Sequence, residues 1–265
     1  MPTFDVYAFY GATPFSSSMA TRDSIQATLR GAGLDGAALI SGLAADCDFV
    51  AGNRQLREIV SPEDGLFGWV TLNAGYPVES QEEQRRHLRR RGMVGAALFG
   101  TPGRPVTLTD AREILNAQRR YAKPVAISVP DADAVHAARL IAAEFPAMRF
   151  IFFGMGGEDW RTAVAVAKQH LNVYLEISGS LDADKVAQAS SVVTARKLLY
   201  GSGLPHGSPH LTRALVESAP TLTRPDRGRI LSENAVALLR TSVEADADEA
   251  EEDAPEFGMT RGQNG

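Results

Sequence analysis

The chain has 265 residues, 44% hydrophobic and 22% charged, with a formal net charge of −5, proportions that suit one folded domain because α/β barrels of this size form single units. Its one cysteine, Cys47, excludes an intramolecular disulfide, and no apolar run reaches the roughly 18 to 20 residues that span a bilayer. The start of the chain has neither the basic stretch nor the apolar core of a signal peptide, so a reducing, cytoplasmic setting without membrane insertion is expected.

In chain order, short β-prone apolar runs are predicted at 3–9, 36–41, 66–73, 94–99, 124–129, 149–153, 172–178 and 197–201. Each is followed by a stretch with helical spacing, the alternation that builds a parallel sheet. Eight such units close a (β/α)8 TIM barrel, so the predicted fold class is α/β with one barrel domain over residues 1–242. Residues 132–145 illustrate the helices: Val135, Ala138, Leu140 and Ile141 are expected on one side, Asp131 or Asp133 can cap the start, and Pro146 stops the run. An open doubly wound sheet shares the alternation, but Gly11 to Pro14 after the first strand is no dinucleotide fingerprint. Gly154, Gly156 and Gly157 could open a helix toward an anion, although glycines there serve equally as turn residues.

Charge is unevenly placed. Residues 243–265 hold eight acids between Glu244 and Glu256 against Arg261 alone, a local charge of −7 that leaves the preceding body at +2. That composition cannot bury enough apolar surface to order itself, so the segment is expected to be a disordered acidic tail. The Arg-rich stretch 84–91 is read as a solvated helix face. A body near neutrality lacks the broad basic surface that nucleic-acid binding needs.

Four windows at the ends of predicted strands carry the chemical information. They are Phe-Asp-Val-Tyr-Ala-Phe-Tyr-Gly at 4–11, Pro-Val-Ala-Ile-Ser-Val at 124–129, Arg-Phe-Ile-Phe-Phe-Gly-Met-Gly-Gly at 149–157 with Trp160, and Leu-Tyr-Gly-Ser-Gly-Leu-Pro at 199–205. Over about residues 3 to 240 the chain resembles the amidohydrolase-related family that includes aminocarboxymuconate semialdehyde decarboxylase. Gly52-Asn53, Asn73 with Pro77, the run 172–179 and Asn234-Ala235 agree with it. The resemblance implies an amidohydrolase-like barrel whose metal ligands would stand at Tyr7, Phe9, Ser128 and Gly203, and whose proton-transfer histidine would stand at Gly154. Each position holds another residue, while Asp5, Gly11, Pro124, Ile127, Met155, Ser202 and Pro205 keep the register. Metal catalysis of this kind needs about three protein ligands and an open position for water. The expectation is therefore no metal, no cofactor and a pseudoenzyme.

What remains near the mouth is read two ways. Glu176, His206 and Tyr7 are candidate acid/base groups, and Tyr10, Glu158, Asp159, Trp160, Ser178 and His210 could line a pocket for a small molecule. Alternatively, Tyr7, Phe9 and Phe153 fill the barrel as packed core. His87, His136 and His170 fall on predicted outer helices, and neither Ser16 to Ser18 nor Cys47 has a visible activating base. The leading functional expectation is a non-catalytic structural or regulatory subunit beside an active paralogue of the same family. A metal-independent hydrolase or decarboxylase and a small-ligand-binding barrel are the alternatives.

Overall fold

The computed structural model describes residues 2–11, 21–101, 103–180 and 182–241. The expectations placed on Ser16 to Ser18 and on the tail 243–265 lie outside these described residues.

The strands are β1 (Phe4–Tyr10), β2 (Gly36–Ser41), β3 (Leu66–Leu72), β4 (Met93–Leu98), β5 (Val125–Ser128), β6 (Phe150–Phe153), β7 (Val173–Glu176) and β8 (Leu198–Leu199). They form one sheet in chain order, every pairing parallel. Backbone bonds from Val6 N to Tyr200 O (3.0 Å), Gly203 N to Tyr7 O (2.8 Å) and Phe9 N to Leu204 O (2.7 Å) join the last strand region to the first. The result is the predicted α/β barrel. Its last strand is shorter than the predicted 197–201 because the amide of Tyr200 turns to Ile230 O at 2.9 Å.

Outside the strands run α1 (Arg22–Gly31), α2 (Gly42–Asp46), α3 (Phe49–Ile59), α4 (Pro77–His87), α5 (Leu108–Gln118), α6 (Ala132–Glu144), α7 (Trp160–Gln169), α8 (Ala183–Val193) and α9 (Pro209–Ser218). α10 (Arg224–Gly228) continues through a π-helical stretch, Arg229–Glu233, into α11 (Asn234–Leu239). The N-termini are locally encoded: Asp48, Thr107, Asp131 and Ser208 each accept a backbone N–H of the first turn, satisfying donors that have no partner inside the helix. In α6, Val135, Ala138 and Ile141 are buried as predicted, but Leu140 is 49% exposed, since it lies just off the face that meets β5 and β6.

Two apolar layers follow from strand alternation. Outward-facing residues such as Leu39, Val70, Ile127 and Phe152 pack with the helices. Inward-facing Phe4, Val6, Phe67, Trp69, Ile151 and Phe153 fill the barrel, and Leu238 and Leu239 of α11 join them. The C-terminal helix thus plugs the N-terminal floor, leaving the opposite mouth as the face where a barrel places chemistry. No helix among the described residues is long and apolar enough to cross a membrane.

Candidate functional site at the barrel mouth

A register shift between Asp5 and Ala8 sets the geometry of β1. Before it Phe4 and Val6 face inward; after it Phe9 does, with Tyr7 packed against the same cluster, while Ala8 and Tyr10 join the outer layer. The bulge therefore brings two nearby aromatic rings into the mouth. Tyr7 stacks on Phe153 with ring centroids 4.3 Å apart, and Phe9 meets Tyr7 edge-on at 5.2 Å. Phe9 also contacts the His206 ring at 5.5 Å, and Trp69 stands edge-on to Phe153 at 5.7 Å while its Nε1 donates to Val6 O at 3.0 Å.

Beside this cluster Glu176 ends β7, fully buried. Its Oε2 accepts from Gly154 N (2.9 Å) and Ser178 Oγ (2.8 Å), and its Oε1 accepts from Ser178 N (2.5 Å). Gly201 makes the space: a Cβ there would sit 2.3 Å from Glu176 Oε1. Burial pushes the Glu176 carboxyl up to about 8, the three hydrogen bonds opposing and the charge of Asp5 adding to it, so near neutral pH it is largely a protonated acid. Ser178 Oγ can then accept that proton while Gly154 N–H keeps an oxygen lone pair.

A second buried carboxylate closes the seam. Asp5 accepts from Tyr7 N and Ser202 N, both at 3.0 Å, and from Ser202 Oγ at 2.5 Å, and burial raises its pKa to about 6 against those bonds. Tyr7's hydroxyl is pushed up by burial first and then by the charges of Glu176 and Asp46, which keeps it a neutral phenol.

The other expected positions separate. Gly154 (φ +80°) and Gly203 (φ +65°) adopt left-handed backbone, and a Cβ at Gly203 would lie 3.7 to 3.8 Å from Ser178 and Tyr7 Cε1. Ser128 is half-buried at the end of β5 and lines a cleft of ≈ 350 Å³ with Thr101, Arg104, Asp131 and Asp133. His206 is exposed above Phe9, and its charge partly offsets the burial that raises Asp46. His210 is exposed on the first turn of α9, as are Glu158 and Asp159; Asp159 Oδ2 accepts from Ala132 N at 3.2 Å. Tyr10 and Trp160 pack in the outer layer. Among the described residues, no three of His, Cys, Asp and Glu gather where they could hold a metal ion.

Three participants were not singled out from sequence. Asp5 was noted only as a register marker, and its burial follows from the bulge. Gly201 supplies volume, visible only once β7 and β8 are adjacent. Thr71, alternating with Phe67 and Trp69 on β3, has a buried hydroxyl with no hydrogen-bond partner, a state that no one-dimensional pattern reports.

Comparison with curated protein sequences gave no significant match. Solved structures do match over nearly their whole length. A putative amidohydrolase from Staphylococcus aureus has a TM-score of 0.73 at 14% identity, covering 91% of this chain and 100% of that one. A dihydroxybenzoic acid decarboxylase from Polaromonas sp. JS666, solved with bound manganese and 2-nitroresorcinol, has a TM-score of 0.69 at 15% identity over 92% and 98% of the two chains. A 5-carboxyvanillate decarboxylase from Sphingomonas paucimobilis scores 0.68 at 11% identity over 91% and 99%. These likenesses establish a shared fold. The amidohydrolase family model matches residues 20–241, most of the chain, and with the eight-stranded barrel this places the protein in the amidohydrolase family.

Proposed function

We propose that this chain is a non-catalytic barrel of the amidohydrolase family that acts as a structural or regulatory subunit, most plausibly beside an active barrel of the same family. One observation carries the reading. At the mouth, Tyr7, Phe9 and Phe153 form a contiguous aromatic stack at positions where the family resemblance expects ligating imidazoles. A divalent transition metal takes N, O or S donors from about three side chains. Phe9, Gly154 and Gly203 offer no side-chain donor, and a neutral phenol at Tyr7 and a hydroxyl at Ser128 are poor ones. The residues present do not fit the metal that the resemblance implies, and no step is routed through it.

The test has two arms. Elemental analysis of mildly dialysed protein is expected to find no stoichiometric zinc, iron or manganese; one ion per chain bound at the mouth would overturn the reading. Retrieval of partners from the native host, followed by co-expression, is expected to yield a barrel whose solubility or turnover depends on this chain. A protein recovered alone, with no partner depending on it, refutes the subunit role.

A metal-independent decarboxylase or hydrolase is the second reading, favoured by the protonated Glu176 held at a strand end beside Tyr7. General acid–base catalysis is strongest when the group titrates near the working pH. Turnover of a hydroxylated aromatic carboxylate, unaffected by chelator and lost in Glu176→Gln, would favour it over the subunit.

A further inference from the structure

The face opposite the mouth carries a groove of ≈ 440 Å³ between the end of α5 and the start of β6. Arg119, Lys123 and Arg149 line it without any carboxylate, around a floor that includes Phe145 and Met148. Arg119 lies 4.9 Å over the Phe145 ring, and Lys123 Nζ donates to Met93 O at 2.9 Å. Cations at helix C-termini are ordinary complements of the helix dipole. What distinguishes this place is three of them converging on one concave, partly apolar surface.

The chain's own path leads there. α11 closes the floor, and Arg240, one residue before the last described residue, Thr241, lines a small cavity of ≈ 20 Å³ together with Ala122 and Lys123. Ala122 and Lys123 also line the groove. Beyond Thr241 the sequence is strongly acidic and reaches Glu251-Glu252-Asp253-Ala-Pro-Glu256-Phe257-Gly-Met259. Ten residues of extended chain span up to roughly 33 to 36 Å, so Glu251 needs no special geometry to come back to a groove adjoining its point of departure.

We propose that the acidic segment 251–259 of this same chain docks in the groove lined by Arg119, Lys123 and Arg149, strapping the barrel floor. Glu251 to Asp253 and Glu256 match the three cations, and Phe257 and Met259 match Phe145 and Met148. Flexible polyanionic segments need no core of their own for this, since charge pairing and one or two apolar anchors can hold them weakly. The docking is sensitive to salt because its charges stand near the surface, where screening at 0.15 M acts over about 8 Å.

Zero-length carbodiimide coupling on the full chain tests it. A carboxylate activated by the carbodiimide is attacked by a lysine amine, forming an amide and releasing the urea, so only touching pairs are joined. The double variant Arg119→Lys, Arg149→Lys keeps the charge and supplies reactive amines in the groove. Links from positions 119, 123 or 149 to residues 251–256 are expected to exceed those from the exposed Lys168 and Lys185 by at least several-fold, and to fall away at high salt. Mixing isotope-labelled and unlabelled chains separates the sources. Links confined to mixed pairs would mean that a second copy supplies the segment, overturning docking within one chain. Links spread evenly over all lysines, or unchanged by salt, would overturn the groove itself. In a second readout, reversing Arg119 and Arg149 to Glu should abolish the coupling to Lys123, and adding Glu251→Lys, Glu252→Lys and Asp253→Lys should restore protection of the segment from protease. Absence of that rescue in a folded variant would also refute the proposal.

Discussion

Three donors, Gly154 N–H, Ser178 N–H and Ser178 O–H, converge on the two oxygens of Glu176, yet burial still holds the proton on it up to about pH 8. Folding therefore raises this pKa above its ordinary value near 4.5. The native chain keeps a proton that the unfolded chain gives up, so the associated stability is fully present below the ordinary carboxyl range and is lost as pH rises through about 8. Asp5, raised to about 6, acts in the same direction over a lower window. Urea denaturation at pH 5 and pH 8 is expected to show less stability at the higher value, with Glu176→Gln flattening the difference. A Gln amide can accept from Ser178 N and donate to Ser178 Oγ but presents nitrogen to Gly154 N–H, so at pH 5 the variant should lose about 1–3 kcal/mol for that unsatisfied donor. An unchanged slope in the variant would move the titration elsewhere. Gly201→Ala should destabilise by a further route, about 1–3 kcal/mol of overpacking, because its Cβ has Glu176 Oε1 at 2.3 Å. Sequence pattern placed Glu176 and Ser178 on the inward side of β7, since strand alternation is local. The pairing of Glu176 with Gly154 and Gly201 was not legible, since it depends on neighbours 22 and 25 residues away.

Packing between α3, α4 and β3 shows how an element can read as surface and yet be half interior. The stretch 84–91 looked like a solvated Arg-rich face; its arginines are exposed, but Gln84, His87 and Leu88 are buried. At 3.6 residues per turn, Ser80, Glu83, Gln84 and His87 share one face, and because they are polar the usual apolar stripe is missing. Asn53 explains why they are tolerated. It exchanges hydrogen bonds of 2.9 Å with both Thr71 N and Thr71 O, and donates to Glu83 Oε2 at 3.0 Å. Burial works against ionising Glu83, but bonds from His87, Asn53 and Arg86 hold its pKa below the ordinary value. Asn53→Asp is expected to cost about 2–4 kcal/mol in urea denaturation, as it removes the donor to Thr71 O and sets a second carboxylate against Glu83. Asn53→Ser, which avoids the added charge, should cost less. Equal losses would mean that shape rather than charge carries the contact. The Gly52-Asn53 pair was visible as a family-like motif, but a motif names residues without saying that they pin a strand edge.

At the scale of the whole barrel, the alternation of apolar runs was sufficient to give eight strands in order, because each βα unit carries its own turns, caps and period. Partner surfaces leave no such periodic trace, and the subunit reading must be tested on exposed residues. Tyr76 and Val78, 56% and 64% exposed, stand at the start of α4 on the mouth side, and Val50 at the start of α3 is 36% exposed. Tyr76 is 6.4 Å from the Phe49 ring, so these side chains form a neighbouring group rather than scattered singles. Aromatic anchors surrounded by polar residues are what interface hot spots use, and a stable complex needs at least about 1,000 Å² around them. A barrel packed through this side would bring two mouths of related shape together, as isologous or pseudo-symmetric pairs do. The prediction is that Tyr76→Ser with Val78→Asp weakens co-purification with the partner barrel by at least about tenfold in affinity, roughly 1.4 kcal/mol, while leaving thermal unfolding of the isolated chain within about a degree or two. Both side chains are largely exposed, so the fold loses little with them. Retained binding by the double variant would place the interface elsewhere on the barrel, and loss of binding together with a large fall in melting temperature would show that these residues serve the fold instead.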